Sequence, residues 1–158
     1  MADLATIYTL ATPGGTISFN SGTLGSGSLN DLYWLSAVHG LDGPTIRAPV
    51  DNVPFGDGGL IHRFWKGPRR PTFEGSLIVQ SVPFGGNCQA AFNTLESNLN
   101  TALNSILQAA GTLSWTPAGG SAHSLSVYYE VFLDILETDN FLTRSFTFGL
   151  VSPSADPS

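Results

Sequence analysis

Gly and Pro leave only two long runs of this chain uninterrupted, 87–110 and 121–148, and only the first has a helical period. Eighteen Gly and ten Pro in 158 residues cut the rest into pieces of at most 12 residues, short enough for strands. The helical run is 87–110. There Phe92, Leu95, Leu99, Ala102, Leu103, Ile106 and Ala110 recur at spacings of three and four, an apolar stripe on one helical face. Asn87 stands as its N-cap and Gly111 as the residue just past its end. At about 1.5 Å per residue such a helix reaches roughly 34 Å, the length of a small domain. Its opposite face is Asn, Ser, Thr and Gln, with Glu96 the only charge. A solvated face carries Lys and Glu pairs, so this one reads equally as a contact with a neighbouring chain.

The other segments read as strands. Leu4 to Ala11 is β-prone and turns at Pro13-Gly14-Gly15 into Thr16 to Phe19. A Gly/Ser loop, 20–30, precedes the aromatic strand Leu32 to His39. Between Leu41 and Pro71, short β pieces (Thr45 to Ala48, Leu60 to Trp65) lie among turns. Thr72 to Val82 places Phe73, Leu77 and Val79 on one face with Gly75 between them. Past the helix, Thr112 to Thr116 forms a strand. Leu125 to Leu133 comes next with Leu125, Val127, Tyr129, Val131 and Leu133 facing inward, and pairs with Phe141 to Val151. In the latter, Leu142, Phe146, Phe148 and Leu150 point in, and 134–140 is the connection. The fold class is α+β, mainly antiparallel β, a sandwich or barrel flanked by one long helix at about 87–110. A single domain spans 1–151, with 152–158 a frayed tail.

Composition narrows the function. Hydrophobic residues make up 42% and charged ones 11%, the reverse of a disordered chain. No apolar run approaches the roughly 18 residues of a membrane span. The start of the chain lacks the basic and apolar regions of a signal peptide. One cysteine, Cys88, excludes an intrachain disulfide framework and points to folding in a reducing cytosol. A net charge of −6 opposes general nucleic-acid binding, which rests on phosphate neutralisation. Ser, Thr and Asn fill about a quarter of the chain; a surface so poor in charge suits one covered by other subunits as well as it suits a neutral monomer.

Catalytic patterns are sparse. His39, His62 and His123 are scattered and nowhere form HExxH. The loop around Ser26 does not match a nucleophile elbow, and Gly22 to Gly27 lacks the lysine of a phosphate loop. Cys88 falls in the first helical turn, where a thiol pKa drops, but it has no neighbouring base. Glu130, Asp134, Glu137 and Asp139 cluster near the closing hairpin, the least favoured reading being a small hydrolase. Trp34, Trp65 and Trp115 are the platforms a carbohydrate-binding β-sandwich would use. No cofactor or metal is called for.

Five of the six basic residues, Arg47, Arg63, Lys66, Arg69 and Arg70, lie within 24 residues. Their interleaving with Phe64 and Trp65 resembles a base-stacking patch, yet Asp42, Asp51, Asp57 and Glu74 nearly cancel the charge. A basic edge meeting an acidic edge of an identical subunit is the better account, and repeated heterologously it makes a ring. Arg47, Arg63, Trp65, Lys66, Arg69 and Arg70 are thus the candidate subunit-interface residues.

The stretch Leu41 to Val79 resembles the N-terminal domain of distal tail proteins of long-tailed phages. The matching pieces are Gly43 with Arg47, Asp57-Gly58-Gly59, Trp65 to Arg70 and Thr72 to Val79, followed by the long helix and a Leu-x-Trp strand (Leu113, Trp115). The resemblance covers about 40 residues in motif and most of the chain in layout. It implies a tail-tube-like, β-sandwich-like domain that assembles as a six-membered ring around an open channel, in a virion built in the bacterial cytoplasm. Its partners would be itself and the tube and tip proteins of the tail, with DNA only passing through and no membrane involved. The tail-tube protein, of related fold, is the alternative station. Many members carry a further C-terminal domain, sometimes carbohydrate-binding; the chain is expected to lack one, so the ring would be the whole task. Six copies at −6 carry −36, and an acidic channel wall would repel DNA.

Overall fold

A computed structural model describes residues 6–22, 30–41, 46–47, 50–52, 59–61, 65–81, 88–137 and 143–153, with backbone alone for those between 46 and 66. Eleven strands and one helix come in the order β1 (Tyr8–Thr12), β2 (Gly15–Phe19), β3 (Leu32–His39), β4 (Ile46–Arg47), β5 (Val50–Asn52), β6 (Gly59–Ile61), β7 (Trp65–Lys66), β8 (Thr72–Ile78), α1 (Gln89–Ser105), β9 (Gly111–Trp115), β10 (His123–Glu137) and β11 (Thr143–Val151). Seven strands close a barrel in the order β1-β2-β3-β8-β11-β10-β9. All its pairings are antiparallel except β2 with β3, which touch in parallel at Phe19↔Tyr33. The expected mainly antiparallel barrel with one helix is therefore what forms.

Alternation fills the barrel. Leu10, Ile17, Phe19, Leu35, Phe73, Leu77, Leu113, Leu125, Val127, Phe146, Phe148 and Leu150 are buried, and α1 adds Phe92, Leu95, Leu99, Ala102 and Leu103. At the centre, the rings of Phe19, Phe73, Phe146 and Phe148 pack with centroids 5.0–6.2 Å apart, the separations that aromatic pairs prefer. The helix approaches the β1–β2 turn so closely that a Cβ on Gly14 would lie 2.6 Å from the Thr101 carbonyl oxygen. Where β2 leads toward β3, Asn20 adopts φ +59°, a conformation that Asn tolerates better than most residues. Its side chain is buried and used at both ends: Oδ1 accepts from the Leu35 amide at 2.7 Å, and Nδ2 donates to the Thr6 carbonyl at 3.2 Å. It thus bridges strands where the ladder between β2 and β3 is down to one pair.

Three sequence expectations change. The helix ends at Ser105 instead of 110. Ile106 (φ −106°) donates to the Leu103 carbonyl and Leu107 to the Asn104 carbonyl, tightened i→i−3 bonds that close a last turn. Gly111 is not a helix cap but opens β9 opposite Val127, where a side chain would strike Ile106 Cγ2 at 2.9 Å. The N-cap position falls on Cys88, which makes no side-chain cap bond; Asn87 lies outside the described residues.

The larger correction concerns the closing hairpin. Residues 134–137, expected in the connection, extend β10 to Glu137, paired with Arg144 on β11. Two register shifts, between Tyr129 and Val131 and between Val131 and Asp134, break the expected inward row. Leu125, Val127 and Tyr129 do face the core, but beyond the first bulge Val131 is exposed while Leu133 stays partly covered. A bulge inserts a residue on one strand and re-aims the side chains beyond it. Leu142 lies outside the described residues.

Tyr33 ties the barrel to the helix, its hydroxyl donating to the Leu95 carbonyl at 2.8 Å. Burial, with a smaller push from the Asp31 carboxylate, raises its pKa to about 12. Because the folded value lies above the ordinary 10, the folded chain holds this proton after the unfolded chain has lost it. The stabilisation is complete below pH 10 and disappears as pH rises toward 12. Urea midpoints measured at pH 9, 10 and 11 should fall for the wild type more steeply than for Tyr33→Phe, which has no proton there to lose.

Candidate functional site

The basic stretch splits into two parts. Ile46↔Lys66 and Arg47↔Trp65 pair β4 with β7, and Val50↔Ile61 through Asn52↔Gly59 pair β5 with β6. Both are antiparallel, giving two short two-stranded ladders in the ribbon segment of the chain that lies between β3 and β8. Arg47, Trp65 and Lys66 are thereby brought to the base of the ribbon. Arg63 lies outside the described residues. Among the described residues the ribbon has no ladder with the seven-stranded sheet, and a lone two-stranded ribbon is marginal in water.

The second part belongs to the barrel. Arg69 is only 7% exposed. Its backbone bridges Ser152 in both directions (3.0 and 2.8 Å) and its guanidinium donates to the Leu41 carbonyl. Its neighbour Arg70 points outward, with a side chain 63% exposed, 3.4 Å from Glu130 on β10. The two adjacent arginines, alike in the sequence, therefore do different jobs: Arg69 fastens the wall and Arg70 remains at the surface.

The sixth basic residue, Arg144, organises the other end of the hairpin. Its guanidinium donates to Glu96 at 2.7 Å and to the Gln89 side-chain oxygen at 2.8 Å, lies 3.4 Å from Glu137, and sits 4.5 Å from the Phe92 ring centroid. One side chain thus pins α1 to β10 and β11. Arg144→Ala should lower stability by about 1–3 kcal/mol, the cost of stranding a partly buried charged partner. Glu137 is 79% exposed, so Glu137→Gln should stay within about 0.5 kcal/mol. Chemical denaturation of both variants checks the contrast.

These pairs also account for two of the carboxylates near the hairpin. Glu130 faces Arg70, and Glu137 faces Arg144; Asp139 lies outside the described residues. Asp134 lies between them on the same strand, so the acids run along an edge and do not face each other across a cleft. Cys88 packs partly against the core. Among the described residues no three His, Cys, Asp or Glu are grouped to hold a metal, and no helix is long and apolar enough to cross a membrane.

The tryptophans do not form a shared platform. Trp115 stands between its cross-strand neighbours Tyr8 and His123, ring centroids 6.4 and 5.4 Å away. Together with Ile7, Thr9 and Ser114 it lines a shallow groove. Trp34 is on β3, three strands away from β9 around the barrel, and Trp65 is in the ribbon.

What the sequence reading missed is an exposed apolar row. Beyond Tyr129, β10 presents Val131, Phe132 and Leu136, at 53%, 69% and 61% exposure. On this strand Asp134 and Leu136 lie opposite Thr147 and Ser145 of β11. An apolar row on a strand is a common sign of a contact surface. Its signal was present in the letters V-F-L-D-I-L, but without the bulges Val131 read as core and Leu136 as part of the connection.

The barrel with its helix has a counterpart among solved structures. It shares the fold of the SPP1 Dit protein. That crystal structure, of the gp 19.1 protein described as a paradigm of the hub adsorption apparatus in phages infecting Gram-positive bacteria, superimposes with a TM-score of 0.61 at 13% sequence identity. The match covers 94% of this chain and 50% of the Dit chain, so the chain spans about half the length of the protein it resembles. No protein-family profile matches the chain, and no curated protein matches it in sequence.

Proposed function

We propose that this chain is a structural, non-catalytic subunit of a phage tail, self-associating into a ring around a central channel at the hub where tube meets tip. The observation that carries the reading is the extent of the fold match. Ninety-four per cent of the chain is covered by the match to a hub protein, including the barrel and the helix. Fold alone does not assign function; here the surfaces support it. The exposed face of α1 is Asn93, Thr94, Ser97, Asn98, Asn100, Thr101 and Asn104, uncharged and suited to burial against a neighbour. The ribbon of 46–66, hydrogen-bonded only to itself among the described residues, gains a partner on assembly. Near the hairpin, Glu130 faces Arg70 and Glu137 faces Arg144.

The test is mass in solution across concentration, with negative-stain images of whatever forms. Closed rings support a hub subunit, and rings that stack end to end place it in the tube instead. A strict monomer at all concentrations overturns the reading. To probe the ribbon, Arg63→Glu with Lys66→Glu is the informative pair, because reversing the buried Arg69 would unfold the wall. The doubly reversed chain should stay folded by circular dichroism and fail to form rings.

A further inference from the structure

The barrel wall consists of two sheets that share one strand. β10 changes partner along its length: His123 to Val127 pair with β9, and Tyr128 to Glu137 pair with β11. On one side of that change lie β2, β1, β9 and the start of β10. On the other lie the rest of β10, β11, β8 and β3. Each sheet is well laddered within itself, with five pairs between β1 and β2 and seven in each of β8–β11 and β3–β8. Just past the change the Tyr129 amide goes to the Ile106 carbonyl at 3.0 Å, and the first bulge follows at once.

The opposite junction is far thinner. Among the described residues β2 and β3 meet at the single pair Phe19↔Tyr33. Next to it, the Asn20 amide donates to the Tyr33 carbonyl at 2.9 Å. The positive φ of Asn20 then turns the main chain out of the strand path, and the side chain takes over. Its Oδ1 accepts from the Leu35 amide, and its Nδ2 is held by the Thr6 carbonyl on the β1 side. One side chain thus stands in for the next rung of the ladder. β3 is fastened to the other sheet at its start as well, where the Asp31 carboxylate accepts from the Gln80 and Ser81 amides at 2.9 and 3.0 Å.

Apolar contact also crosses this junction, since Phe19 packs against Phe73, Phe146 and Phe148. Such contact is non-directional. It holds the two sheets together without fixing the angle between them, whereas hydrogen bonds weaken steeply as they bend. Among the described residues, the directed bonds here are those of Asn20 and the one pair beside it.

We infer that the β2–β3 junction is a seam at which the folded barrel opens and closes, with Asn20 as its latch and the partner change in β10, at Val127 and Tyr128, as its hinge. Opening turns the sheet of β2, β1 and β9 away from β3 and leaves the other ladders intact. The helix stays with the second sheet, to which Tyr33 and Arg144 bind it. The motion uncovers the Leu35 and Asn20 amides while those inside the ladders stay covered, so local opening is concentrated along one line of the wall.

Amide hydrogen exchange of the full chain, followed by NMR and corrected for intrinsic rates, tests it. The Leu35 and Asn20 amides should exchange about 100-fold faster than the slowest amides of the β3–β8 and β1–β9 ladders, at rates that low urea barely changes. Seam amides as slow as those ladders, accelerating with urea in step with them, overturn the seam. Asn20→Gly separates a latch from ordinary packing, because glycine accepts the positive φ and keeps the amide to Tyr33 while losing the side chain. In this variant the Leu35 amide should accelerate about tenfold beyond any change in the β8–β11 ladder. Equal acceleration everywhere means that Asn20 stabilises the whole fold alike, and overturns the latch. The wild-type comparison decides the seam whether or not the variant folds.

Discussion

Phe148→Ala should be among the most damaging single substitutions in the chain, lowering stability by about 3–5 kcal/mol. Phe148 is fully buried, 5.0 Å from the Phe73 ring and within 6.0 Å of Phe19 and Phe146. Its removal leaves a hole bounded by strands on both sides of the barrel, and a closed ladder cannot collapse to fill it. At roughly 2–4 °C per kcal/mol for a domain of this size, the melting midpoint should drop by about 6–20 °C. Phe132→Ala is the matched control: the same deletion at an exposed position should change stability by no more than about 0.5 kcal/mol. Phe132 meets the Tyr129 ring edge-on at 5.2 Å and is otherwise exposed; a drop of similar size in both would overturn that exposure.

Gly75→Ala should cost about 3 kcal/mol, the upper end of what one added methyl does to a packed interior. The new Cβ would stand 2.3 Å from the Trp34 carbonyl oxygen, 3.0 Å from Leu35 Cα and 2.9 Å from Phe146 Cζ. Two of those three atoms are backbone, held by the β3–β8 ladder opposite the β3 bulge. They cannot swing aside as a side chain would, so the strands must part. Thermal unfolding measures it; an alanine variant as stable as the wild type would show that β3 and β8 are further apart than the structure places them.

Much of the fold could be read before any coordinates. Strands β3, β8 and β11 fall within the predicted segments and β9 within one residue of its own, because alternating apolar residues bounded by Gly and Pro are a local signal. The helix stripe was correct through Ile106, and its early stop was not, because the stop is set by Gly111 having to meet Val127 on β10. Barrel closure was equally hidden: Tyr8 finds Trp115, a pairing with no trace in the spacing of either segment. At the surface, the letters showed where the positive charge collects but could not separate Arg69 from Arg70. What separates them is backbone geometry, namely the Ser152 bridge and the Leu41 carbonyl. The bulges in β10 similarly turned Val131, which read as core, out to the surface.

The pairing of β1 with β9, and of β8 with β11 across Thr72↔Gly149, also sets when this protein can fold. During synthesis β1 can pair with β2 at once, but β3 waits for β8 and β1 for its second neighbour β9. No closed cylinder can form on the ribosome until β11 has emerged. Folding should therefore be a late, all-or-none event and slow for a chain of this size, leaving nascent chains dependent on chaperones in the interval.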